Sequence, residues 1–200
     1  GAGQRCRYDT TQVVQSSPAV GRFLSGGAVG IVAGTGTYYS GSTDTNRVIA
    51  VDTKCRLRWK ADLHAATSAS PALADVRGDG TLAVIAGTRS GPNQGSVYAL
   101  NGANGARIWS TTLPGGVYGG IATADLRGTG RQDVVVATPT GVYVLDGRTG
   151  TIIGRFGQGT GLQNTVLITK DPNGKAGITI AGYNGLREGV VAHYVIDQRV

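Results

Sequence analysis

Residues 67–115, TSASPALADVRGDGTLAVIAGTRSGPNQGSVYALNGANGARIWSTTLPG, are built from short apolar runs separated by Gly, Asn and Asp. Pro71–Val76, Leu82–Thr88, Ser96–Leu100 and Arg107–Leu113 each have the length and bounding turn residues of a strand. The stretch therefore predicts four short strands, a to d, joined by turns. No segment of the chain sustains a 3.6-residue apolar period over ten or more residues, and Gly or Pro interrupts every candidate, so helix should be nearly absent.

Copies of this unit fill the chain. SPAVGRFLSGGAVGIVAGTG, from Ser17, aligns without a gap on SPALADVRGDGTLAVIAGTR, from Ser70. A long polar connection, TYYSGSTDTN, then leads to RVIAVD and RLRW for strands c and d. IATADLRGTGRQDVVVAT, from Ile121, and GVYVLDGRTGTIIGRF, from Gly141, form a third copy in which Gly154 stands where Trp109 stood. LITKDPNGKAGITIAG and AHYVID supply strands a, b and c of a diverged last copy. At the other end, GQRCRYDTT overlies GARIWSTTL, so residues 1–14 read as a lone d strand. The chain is then one domain with blades at about 17–66, 67–115, 116–160 and 161–200.

A four-stranded antiparallel sheet with both faces apolar cannot stand alone; such units pack face to face around an axis as a β-propeller. A solenoid coil is about half this length, and a β-sandwich does not repeat at this period. The expected fold is all-β, a propeller with four blades in this chain. The order d, abcd, abcd, abcd, abc allows the first strand to complete the last sheet and close a four-bladed ring. It is also the order left by cutting a larger propeller in half. An open array would leave apolar blade faces for self-association or a complementing propeller segment.

VYALNGANGARIW and VIAVDTKCRLRW resemble the tryptophan-docking repeat of PQQ-like (quinoprotein-like) propellers, and the a–b connections ADVRGDGTLAVIAGT and ADLRGTGRQDVVVAT are similar to FG-GAP (VCBS-like) repeats. The first resemblance implies that Trp59 and Trp109 are structural, packing their indoles on the neighbouring blade. The second implies loops of the D-x-D-x-D-G-x-x-D type, which hold calcium through carboxylate oxygens. Asp75 and Asp79, and Asp125 and Asp133, are the remnants of such loops. Arg77 and Arg127 put positive charge where ligands would lie, so bracing of turns by these carboxylates is the competing reading. Calcium is the one cofactor to consider. Quinone chemistry is not expected, since those enzymes have eight full blades with long insertions, and this chain has one Glu and no adjacent-Cys pair.

The chain has 200 residues and a net charge of +7, from nineteen basic residues, fifteen of them Arg, against eleven Asp and Glu188. The arginines are scattered without a basic run or interleaved aromatics, which argues against nucleic acid as a partner. No apolar run approaches the roughly 20 residues of a membrane-spanning helix. Cys6 and Cys55 lack metal-binding spacing, leaving a disulfide or two free thiols; the disulfide is the expectation, and it favours a secreted or cell-surface location. His64 and His193 have no partner at catalytic spacing, and neither a nucleophile elbow nor a P-loop is present. Tyr38, Tyr39, Tyr118 and Tyr183 lie in or near turns and are the candidate ligand-binding residues. The function expected is a non-catalytic scaffold that binds a protein or a polysaccharide. A lectin-like propeller, or a part of a larger propeller enzyme, is the alternative.

Overall fold

The computed structural model describes residues 3–91, 93–159, 161, 164–183 and 188–196. Among these residues fifteen strands form four antiparallel sheets. Blade one contains β1 (Ala19–Leu24), β2 (Ala28–Gly34), β3 (Arg47–Asp52) and β4 (Leu57–Asp62). Blade two contains β5 (Ala72–Ala74), β6 (Ala83–Arg89), β7 (Gln94–Asn101) and β8 (Arg107–Pro114). Blade three contains β9 (Ala122–Ala124), β10 (Asp133–Thr138), β11 (Gly141–Leu145) and β12 (Ile152–Phe156). Blade four has three strands among the described residues, β13 (Leu167–Lys170), β14 (Ala176–Tyr183) and β15 (Gly189–Val195). Within each blade every strand pairs with the next in sequence. Among the described residues the helical content is a single 3-10 turn, Ser25–Gly27.

Burial follows position in the blade. The central strands β10 and β11 are buried at every residue, because each of their faces meets another blade. The outer strand β8 instead alternates, with Trp109 and Leu113 inward and Ser110 and Thr112 exposed. Successive a strands touch: β1 against β5, β5 against β9 and β9 against β13. Three apolar clusters fill the three junctions. Phe23, Val48 and Trp59 meet Val84 and Leu100 between blades one and two. Ile85, Val97 and Trp109 meet Val136 and Tyr143 between two and three. Val135, Val142 and Val144 meet Ile178 and Ile180 between three and four.

The first residues do not behave as a d strand. Among residues 3–18 no strand is present, and the segment runs along blade one instead of completing the sheet of blade four. Its hydrogen-bonding groups are engaged by the β2–β3 connection. The Val13 carbonyl accepts from the Gly36 N–H at 3.1 Å, the Thr11 N–H donates to Asp44 Oδ2 at 2.9 Å, and the Gln12 amide bridges the backbone of Tyr39. A disulfide, Cys6–Cys55, fastens the segment to the β3–β4 turn. Tyr8, Thr10 and Val14 thereby lie over Ile31, Ala33, Ile49 and Val51, on the face of blade one turned away from blade two. The expected strand fails because these side-chain and disulfide links replace a ladder.

Candidate functional site

Antiparallel meanders sort the loops onto two ends. The b–c turns and the blade-to-blade connections share one end, and the a–b and c–d turns share the other. At the first end the structure gathers all four tyrosines named above. Tyr38 and Tyr39 project from the β2–β3 connection, 74% and 55% exposed, with their rings edge-to-face at 5.4 Å. Tyr118 precedes β9 and Tyr183 ends β14, and these two border one cleft of about 540 Å³ with Gly119, Asn164, Thr165 and Gly182. The Arg89 guanidinium sits 5.4 Å from the Tyr118 ring centroid, and Tyr183 is 51% exposed. The four rings thus form two groups, one on blade one and one between blades three and four.

At the second end lie the acidic loops. One Asp75 oxygen accepts from the N–H groups of Arg77, Gly78 and Asp79, and the other from Gly80. Asp125 accepts likewise from Thr129 and Gly130. Burial raises its pKa, but these N–H donors prevail and hold it below the usual carboxylate range. Asp79 accepts from the hydroxyl and N–H of Thr81, which lower its pKa. Asp133, fully buried at the start of β10, is apart from Asp125 in its bonding. It accepts from Arg127 Nη2 at 2.7 Å and Nε at 3.1 Å. The same Nη2 reaches Asp146 Oδ2 at 2.5 Å, and the paired carboxylates raise the pKa of Arg127. Among the described residues no group of three or more His, Cys, Asp or Glu side chains is placed to hold a metal ion.

Between the two ends, the indoles join the blades. Trp59 donates its Nε1–H to the Gly102 carbonyl and Trp109 donates to that of Gly147, both at 2.7 Å. Each ring lies on a second glycine of the same c–d turn: a Cβ on Gly105 or Gly150 would fall 2.6 Å from the indole. Both glycines have positive φ, 75° and 76°. In the equivalent turn of blade one, the left-handed position belongs to Cys55, at φ 58°, and its sulfur holds Cys6. The disulfide therefore anchors the N-terminal segment at the turn where, in blades two and three, the preceding blade's indole docks.

One recurrent feature was not read from the sequence. Thr35, Thr88 and Thr138 lie at or next to the ends of their b strands, are buried, and use their hydroxyls to tie the b–c connection. Thr67 adds a link between blades: its N–H and hydroxyl both donate to the Thr35 carbonyl. The signal was present as AGT, AGT and VAT at corresponding places in three copies.

The family model described as outer membrane protein assembly factor BamB matches residues 9–160. BamB from Moraxella catarrhalis superposes with a TM-score of 0.65 at 20% identity, over 95% of this chain and 49% of that one. BBS1N in complex with ARL6DN gives 0.63 at 11% identity, over 93% and 52%. Quinohemoprotein alcohol dehydrogenase ADHIIG from Pseudomonas putida HK5 gives 0.53 at 16% identity, over 88% and 29%. This chain thus spans about half the length of the first two. No curated protein matches the sequence. The repeated blades, the docked indoles and the family match over most of the chain lead to one conclusion: this chain belongs to the BamB family of PQQ-like β-propellers.

Proposed function

We propose that this chain is a non-catalytic propeller scaffold, working outside the cytoplasm, that binds a protein partner through its tyrosine-bearing end. The observation that carries this reading is the gathering of Tyr38, Tyr39, Tyr118 and Tyr183 at one end of the blades, three of them more than half exposed. Exposed tyrosine supplies contact area at low conformational cost, and it is enriched where proteins meet. A solved propeller of the same fold, BBS1N, is in complex with the protein ARL6DN, which supports a protein as the partner class. The disulfide supports an oxidising compartment, and among the described residues no helix is long and apolar enough to cross a membrane. Polysaccharide is the weaker alternative, because the rings stand at unlike positions in their blades, whereas a repeated glycan site would reuse one.

The test is photo-crosslinking in cells that make the protein, with the photoreactive residue placed at Tyr39, at Tyr183 or, on the opposite end, at exposed Arg148. A discrete protein adduct from the tyrosine positions and none from Arg148 is the expected result. Adducts from neither tyrosine, or equally from Arg148, would remove the basis for this reading.

A further inference from the structure

Between blades three and four lies a mostly apolar cavity of about 310 Å³, lined by Leu126, Val144, Ile153, Phe156, Tyr194 and Ile196, with Gly154, Arg127, Arg155 and Val195 completing its wall. Strand register shows what is missing there. Trp59 pairs with Ala50 and Trp109 with Ala99, and in each case the register shifts at the next residue of the c strand. Gly154 pairs with Val144, followed by the same shift at Leu145. Gly154 therefore occupies the place from which the other two blades send an indole onto their neighbour. The backbone does not require glycine: its φ is not positive, and an added Cβ would make only ordinary contact with Val144, at 3.4 and 3.5 Å. Val144 in place of alanine returns two methyl groups, far less than an indole.

We propose that this cavity is a recognition pocket for a tryptophan side chain carried by another polypeptide. At the two equivalent junctions the occupant is an indole delivered on a β-strand and packed against apolar side chains of the next blade. Among the described residues the third junction retains apolar walls, with the Phe156 and Tyr194 rings 4.7 Å apart at its side, and Gly154 sends no ring into it. Burial of an aromatic ring in such a pocket releases water from apolar surface on both partners. The pocket lies toward the a–b and c–d turns, away from the tyrosines, so it does not rest on the function proposed above.

The probe is a capped peptide of residues 107–111, Arg-Ile-Trp-Ser-Thr, titrated into the full chain with 13C-labelled Ile and Val methyls. Saturable shifts at Val144, Ile153 and Ile196, with a Kd on the order of millimolar and none at Val32 or Val48, are expected. The Trp→Ala peptide and free indole should each bind at least about tenfold more weakly, a difference of ~1.4 kcal/mol. Gly154→Trp should abolish the shifts and raise Tm by about 2–6 °C over Gly154→Val, which supplies strand propensity without the ring. If Gly154→Trp does not fold, Gly154→Leu serves as the blocking variant, and loss of the shifts is again expected. No saturable shift at the three residues, shifts that survive in the folded blocked variant, or free indole binding as tightly as the peptide would overturn the proposal. Crosslinks from Tyr39 and Tyr183 that persist in Gly154→Trp separate this pocket from the tyrosine end.

Discussion

Trp59 and Trp109 each contribute an indole and one N–H bond to a junction between blades, and both were marked in the sequence by their place at the end of a repeated motif. Trp109 is buried among residues of two blades, so Trp109→Ala should cost ~3–5 kcal/mol through the cavity it leaves. Chemical denaturation would read this as a lower midpoint, and an unchanged midpoint would contradict the role. Arg127 was legible only as a misfit in a calcium-type loop. The fold explains it differently: its guanidinium is the counter-charge of fully buried Asp133 and also of Asp146. Arg127→Ala would leave a buried carboxylate without its partner, and a loss of about 3 kcal/mol is expected in the same measurement. The pairing was invisible beforehand because Asp146 belongs to another turn, brought close only when β11 folds beside β10.

At the scale of the element, the c–d turns show how one backbone shape tolerates different residues. Asp52, Asn101 and Asp146 open these turns, and each accepts N–H bonds from the residues that follow. The N–H of Arg56 is the largest influence on Asp52, which is lowered to about 2. Burial raises the pKa of Asp146, but Arg127 and Thr149 outweigh it and the net shift is downward. Asp44 follows the same balance, with Lys60 and the Thr11 N–H prevailing over burial. A carboxyl whose folded pKa lies below its unfolded value binds fewer protons in the folded state. Its stabilisation is therefore full above the unfolded value near ~4 and is lost as pH falls through the folded one. Thermal unfolding should be nearly flat from pH 7 to 5 and decline between about pH 4 and 2. Asp52→Asn should flatten part of that decline, and a Tm constant down to pH 2.5 would refute the assignment.

For the whole molecule, packing is uneven along the array. Blades two and three are covered on both faces by neighbouring blades, and the outward face of blade one carries the disulfide-fastened N-terminal segment. Blade four presents Leu167, Val191 and Val195 as exposed apolar side chains on its outward face. Stability in stacked repeats is roughly a sum over units and junctions. Amide exchange should therefore be slowest in β6, β7, β10 and β11 and fastest in β13 and β15. Equal protection in β15 and β11 would show that some other surface covers blade four.

The sequence by itself determined the strands, their order within each blade and the all-β propeller class, because alternation, turn residues and repetition are local signals that survive in every copy. It also marked the indoles that join blades. Only the tertiary structure decided where residues 3–16 go, which carboxylates share Arg127, that four tyrosines meet at one end, and that losing the indole at Gly154 leaves a cavity. Each of these depends on contacts between separate segments of the chain. Such contacts are set by how the blades pack, which no single repeat encodes.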